Sequence, residues 1–259
     1  MHSGGGAALR FPTRWKGSLA GLLFNEVSQS PPDLEIPPGE VHVWTLNTAS
    51  EKRAWDRLLS SAEAATADRL SSPYQRRFKS RRAALRLLLG RYLRLNPTSI
   101  EFVVGPNGKP YLAGGQLGFS ITHSGDIALI GVGRDCEVGV DLEKLETLAD
   151  SARLAAQFFT EEETEALSRL GPSMQSSAFL TMWVRKEAAL KAEGTGIGNG
   201  LLVPVPDLTP ADGAEVRLRT GKNEHRSFYI YDVNPGNNCI AALAVSRKVN
   251  RIVERVMED

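Results

Sequence analysis

The sequence predicts an α+β protein of two similar subdomains related by a pseudo-twofold, each with antiparallel strands packed on helices and the active site in the crevice between them. Two observations carry the fold class. A long helix-favouring segment stands in each half, at Arg76–Leu95 and Ser176–Ala192, and each is followed by short runs of alternating apolar residues between Gly, Pro and Asn turn signals. The chain is also long enough: 259 residues with 42% hydrophobic and 24% charged composition can bury one large core or two small ones.

The elements follow in order. Residues 1–39 mix Gly, Ser and Pro up to "QSPPDLEIPPGE" and read as a poorly ordered extension, so the packed fold is expected to begin at Val41. "VHVWTL" alternates as a strand, Ser50 to about Leu70 favours helix, and Arg76–Leu95 is an amphipathic helix turning Phe78, Leu85, Leu88, Leu89 and Tyr92 inward and arginines outward. "IEFVV", an Asn107-Gly108 turn and "KPYL" form a hairpin; "LGFSIT" and "IALIGV" form another through His123–Asp126. The first subdomain, 40–135, closes there. The second, 136–246, opens with the strand "VGVDLEK", then "SARLAAQFF", a capping box of Thr160 and Glu163, the helix Ser176–Ala192 ended by Gly194 and Gly196, and the strands "EVRLRT", "SFYIYDV" and "CIAALAVS". Residues 247–259 read as a tail.

Chemistry concentrates in two of these elements. Val138, Val140 and Leu142 alternate with Gly139, Asp141 and Glu143, so both acids share one strand face. Hard carboxylate oxygens placed together suit Mg²⁺ and a phosphate ligand; solvated acids beside Lys144 account for the same pair. In the helix, Trp183, Glu187 and Lys191 recur every fourth residue and form one stripe, each step rising about 6 Å. An ordinary Glu-to-Lys helix pair has that spacing too. "GTGIGNG" follows a helix rather than a strand, and so reads as a C-cap and turn, not a phosphate cradle.

Composition excludes several classes. Thirty-one Lys plus Arg against thirty Asp plus Glu give a formal net charge of +1, too balanced for a general nucleic-acid or membrane-surface binder. Cys136 and Cys239 lack metal-ligand spacing and suit a reducing compartment. There is no apolar run of membrane-spanning length and no signal-peptide pattern, so a cytoplasmic protein is expected.

Taken together, "GVDLE" and "WVRKEAALKAEGTGI", preceded by "GPNGKPYL" and "FSITHSGD", resemble the ordered blocks of Sfp-type 4′-phosphopantetheinyl transferases. The resemblance covers roughly residues 41–246, with Thr122 standing where a serine is commoner. It implies transfer of the 4′-phosphopantetheine arm of coenzyme A to a serine of an apo acyl-carrier or peptidyl-carrier protein, releasing 3′,5′-ADP, in fatty-acid, polyketide or nonribosomal-peptide synthesis. It also implies a monomer that binds neither nucleic acid nor membrane. Mg²⁺ would be held by Asp141, Glu143 and Glu187, with Asp141, Glu187 and Lys191 as the catalytic set. Coenzyme A contacts would come from Arg81, Arg86, Lys109, Pro110, Thr122, His123, Lys186 and Lys191. Ordinary readings stand beside these: His123 as a hairpin histidine bonded to its own turn, Lys109 as a solvated turn lysine, Arg81 and Arg86 as a solvated helix face. Two rival functions also stand: a non-catalytic binder of carrier domains or nucleotides, and a metal-dependent nuclease suggested by "DLEK".

Overall fold

The computed structural model describes residues 13–14, 34–49, 53–196, 205, 208–219 and 224–257. Its strands are β1 (Thr13–Arg14), β2 (Glu40–Asn47), β3 (Phe102–Val104), β4 (Pro110–Leu112), β5 (Leu117–Ser124), β6 (Ile127–Arg134), β7 (Val138–Lys144), β8 (Asp212–Arg219), β9 (His225–Val233), β10 (Cys239–Val245) and β11 (Arg251–Met257). Its helices are α1 (Ser61–Ala67), α2 (Ser72–Leu93), α3 (Ser151–Phe158), α4 (Glu161–Ser168) and α5 (Pro172–Glu193).

One sheet runs β1-β11-β2-β6-β5 and a second runs β7-β10-β9-β8, while β3 and β4 pair only with each other. Alternation along β2 decides the layering. Trp44 and Leu46 enter a core shared with Leu85, Leu88, Leu89 and Tyr92 of α2, whereas Val41 and Val43 enter another shared with Val140, Leu142 and Leu243. A third core lies between the second sheet and α5, where Ala188 and Ala189 meet Phe228, Ile230, Ala242 and Ala244. The order of layers is therefore α2, first sheet, second sheet, α5. Each fully buried Leu or Phe contributes roughly 2 kcal/mol to holding them together.

Most elements stand where the sequence places them. The Asn107-Gly108 turn joins β3 to β4, with Gly108 at φ 87°, and Thr160 and Glu163 form both hydrogen bonds of a capping box. Trp183 packs edge-on against Phe158 and stacks on Phe179. Gly194 caps α5 in the left-handed region at φ 90°.

Several boundaries are corrected. The Ser50–Leu70 helix is a short 3₁₀ turn, Arg53–Leu58, followed by α1, because Ser60 and Glu63 form a capping box of their own that starts a new helix. Both long helices begin earlier than expected, with a proline in the first turn where its missing N–H costs nothing. The packed fold begins before Val41, since Leu34 and Ile36 are buried in the α2 core. Most of the expected extension, 1–12 and 15–33, lies outside the described residues, as do 197–200 of the glycine-rich turn. The expected tail is not one: β11 pairs in parallel with β2, placing Val253 opposite His42 and Arg255 opposite Trp44.

Candidate active site

The first sheet ends on β5 and the second begins on β7, and the two are joined by a row of hydroxyls. Ser120 Oγ accepts the Val140 N–H at 3.1 Å. Thr122 Oγ1 donates to Asp141 Oδ1 at 3.0 Å, and Ser124 Oγ donates to Glu143 Oε2 at 3.1 Å while accepting the Lys144 N–H at 3.2 Å. The spacing of two along β5 turns all three hydroxyls toward β7, and Thr122 and Ser124 meet two acids that are themselves two apart. Asp141 and Glu143 thus share a face, as the alternation predicts.

That face is covered by α5, and Gly139 is the reason the helix fits. A Cβ at position 139 would lie 2.0 Å from the Ala188 carbonyl oxygen, so only glycine allows the helix backbone so close to the strand. The approach brings Lys191 Nζ within 2.5 Å of Asp141 Oδ1 and 3.2 Å of Thr122 Oγ1. Glu187, one turn earlier on the same stripe, is also buried.

Three carboxyls share this small space, and their ionisation reflects it. Burial raises the Asp141 pKa against the pull of Lys191 and Thr122. Burial and the neighbouring Asp141 raise that of Glu143. Glu187 is pushed up to about 7 by burial and by the charges of Asp141 and Glu143, with Lys191 opposing. Asp141 Oδ2 and Glu187 Oε1 are buried without a hydrogen-bond partner.

Among the described residues, no three acidic, imidazole or thiol side chains are gathered closely enough to hold a metal ion. The expectation of Asp141, Glu143 and Glu187 as a formed ligand set is corrected to that extent: the cation on Asp141 is the ammonium of Lys191. The donor chemistry still fits a hard divalent ion. Every group is a carboxylate oxygen, and two of those oxygens are buried and unsatisfied.

On the first-half side of the site lies a concentration of positive charge. Arg81 is half-buried and, among the described residues, has no carboxylate partner, whereas Arg77 is held by Asp126 at 2.7 Å and Arg82 by Glu63. Burial and the charges of Arg77 and Arg82 lower the Arg81 pKa to about 10. His123, at the end of β5, is brought down to about 4 by loss of hydration and by Arg81, Lys191 and Arg77, so its ring is neutral at pH 7. An unpaired guanidinium and a neutral imidazole, both held back by surplus positive charge, are what an anion would relieve. A cleft of about 240 Å³ opens beside Lys191, lined by Asn107, Pro110, Ser120, Ile121 and Leu190.

In three of the expected contacts the charged group is engaged within the protein. Arg86 is 3% exposed and donates to Glu63 Oε2 at 2.7 Å and to the carbonyls of Pro97 and Ile100 at 3.1 and 2.8 Å. Lys186 is fully buried, pairs with Glu163 at 2.7 Å and lies over the Phe159 ring. Lys109 donates to Glu137, Val138 and Ala192, which uses all three of its N–H groups. The partners of all three are distant in sequence, so local pattern could not reveal them. Sequence reasoning also gave Gly139 no role, although a lone glycine inside an otherwise well-formed strand was the available signal. Ser124, whose hydroxyl the sequence offers to a phosphate beside His123, is engaged with Glu143 and Lys144.

Residues 137–244 match the profile of the family described as the 4′-phosphopantetheinyl transferase superfamily. The chain is 35% identical over 224 residues to the 4′-phosphopantetheinyl transferase HetI of Nostoc sp., covering 83% of this chain and 92% of that protein. It is 36% identical over 110 residues to the transferase AcpT of Salmonella typhimurium, covering 42% and 56%. It is 29% identical over 174 residues to a 4′-phosphopantetheinyl transferase of Bacillus subtilis, covering 63% and 70%.

Proposed function

The chain belongs to the 4′-phosphopantetheinyl transferase superfamily, and from that premise we propose that it transfers the 4′-phosphopantetheine arm of coenzyme A to a serine of an apo acyl-carrier or peptidyl-carrier protein, releasing 3′,5′-ADP. The observation that carries the site assignment is the group of buried Asp141 and Glu187 with half-buried Glu143 and Lys191 inside the matched segment, two carboxylate oxygens of which are unsatisfied.

Mg²⁺ would be held by Asp141, Glu143 and Glu187, and when bound it supplies charge neutralisation at the pyrophosphate of coenzyme A. The remaining work falls to the protein. Arg81, with no acid to satisfy it among the described residues, binds the 3′-phosphate, and neutral His123 beside it donates a ring N–H to the same anion. Lys191 lies between Thr122 and Asp141 and stabilises charge developing on the transferred phosphoryl group. Glu187 is the base. With no cation bound its pKa is raised to about 7; once ionised, its carboxylate can accept the carrier serine proton. The serine oxygen forms a bond to the phosphorus nearer pantetheine, the anhydride bond breaks, and the electron pair leaves with 3′,5′-ADP. No covalent enzyme intermediate is needed.

The same reading takes the two halves as related by a pseudo-twofold. In its support, each half places a capping-box glutamate before a 22-residue helix and sends that glutamate to a buried cation of the helix: Glu63 to Arg86, and Glu163 to Lys186. It also takes the enzyme as a cytoplasmic monomer that binds neither nucleic acid nor membrane, on the balanced charge. Among the described residues no helix is long and apolar enough to cross a membrane.

Incubation with coenzyme A, Mg²⁺ and a panel of apo carriers tests the activity, read as a carrier mass increase of one phosphopantetheine arm. Asp141→Ala should reduce transfer at least about 1,000-fold while circular dichroism and thermal unfolding report a folded protein. A folded Asp141→Ala protein with near-normal transfer would remove Asp141 from the mechanism.

A further inference from the structure

The β3–β4 hairpin belongs by sequence to the first half, yet its turn grips the end of the helix that carries Glu187 and Lys191. Asn107 Nδ2 donates to the Gly194 carbonyl at 3.0 Å. Tyr111 lies so close to Gly194 that a Cβ there would stand 2.7 Å from its hydroxyl. Lys109, between them, is largely shielded from water: its Nζ donates to Ala192 O at 2.7 Å, Val138 O at 3.3 Å and Glu137 Oε2 at 3.1 Å.

The two carbonyl acceptors come from the two elements that build the site, and Glu137 directly precedes the first of them. Val138 opens β7, the strand of Asp141 and Glu143. Ala192 follows Lys191 directly on α5, and its carbonyl is one of the four that a helix leaves unbonded at its C-terminus, where a cation is favoured. We infer that Lys109 is a positioning residue, whose ammonium fixes the separation between the acid-bearing strand and the helix of Glu187 and Lys191. It has no N–H left for a nucleotide. This rests on the transferase reading of the site and adds to it a residue that acts through others.

The inference is tested on the full chain with Lys109→Met, by following carrier mass for transfer and isothermal titration with 3′,5′-ADP for nucleotide binding. A positioning role predicts a fall in kcat of about tenfold or more, since small misplacements of reacting groups are costly. The Kd for 3′,5′-ADP and the KM for coenzyme A should stay within about twofold of the unsubstituted protein. A Kd weakened about tenfold or more with kcat preserved would make Lys109 a nucleotide contact and overturn the inference. So would an unchanged kcat per folded molecule accompanied only by a lower Tm. If Lys109→Met does not fold, Glu137→Gln removes the carboxylate acceptor and leaves both carbonyls. A fall in kcat of about threefold with unchanged nucleotide affinity then supports the assignment, and unchanged kcat sinks it. Failure of the unsubstituted protein to load any carrier is a separate result: it would strike the transferase reading itself.

Discussion

Glu63 and Glu187 are buried to nearly the same depth, 8% and 5% exposed, yet their carboxyls are driven in opposite directions. At Glu63, burial raises the pKa, but the Ser60 N–H, Arg86 and Arg82 outweigh it and hold the group below the ordinary glutamate range. At Glu187, burial is reinforced by Asp141 and Glu143, and the single opposing charge, Lys191, is already committed to Asp141. The first cluster is closed: each carboxylate oxygen has an arginine, and the spare arginine donors meet carbonyls. The second is short of positive charge. A closed cluster serves the fold, and one that lacks a cation is poised for a ligand.

Breaking the closed cluster should give the largest change. Glu63→Gln leaves Arg86 buried without its counter-charge, so unfolding by urea should show a loss of about 4 kcal/mol. The kcat per folded molecule should not move; a fall would mean that the α1–α2 clamp also shapes the site.

The open cluster should respond with the opposite sign. A carboxyl whose folded pKa is raised binds its proton more tightly folded than unfolded, so stability declines as pH rises from the ordinary glutamate range through about 7. Glu187→Gln removes that penalty. In chelator at pH 8 it should gain about 3 kcal/mol, with the gain gone below about pH 4, while transfer is lost. A destabilised Glu187→Gln protein at pH 8 would show that the carboxylate is satisfied in a way this electrostatic account omits.

Along α2 itself, Arg82 and Arg86 have Glu63, whereas Arg81 has no acid among the described residues. Arg81→Met should weaken 3′,5′-ADP binding by about 2 kcal/mol, roughly thirtyfold, as expected for loss of a charge-assisted hydrogen bond. A nucleotide lacking the 3′-phosphate should bind both proteins alike, and equal weakening of both nucleotides would move Arg81 away from that phosphate.

What was legible in the sequence follows from the range of the interaction behind it. Period-two alternation placed Asp141 and Glu143 on one face, and fourfold spacing placed Glu187 beside Lys191, because both depend only on local backbone geometry. The Thr160–Glu163 capping box was readable for the same reason. The fates of the basic residues were not. Arg81 and Arg86 have the same residue type on one helix, and what separates them is Glu63, supplied by another element. Lys186 and Lys109 were likewise claimed by distant acceptors. The strand β11 was missed because "RIVERVM" mixes charge into its alternation, and its partner β2 is encoded far upstream.

That last strand bears on how the molecule is made. β2 is paired on one side with β6, which lies within the first half of the chain, but its other side is closed only by β11, which the ribosome delivers after the entire second half. Until then the nascent first half carries a bare strand edge rich in Val, Trp and Leu, the kind of surface that seeds aggregation. A first half expressed alone would keep that edge permanently, so the two halves are poor candidates for dissection into separate modules.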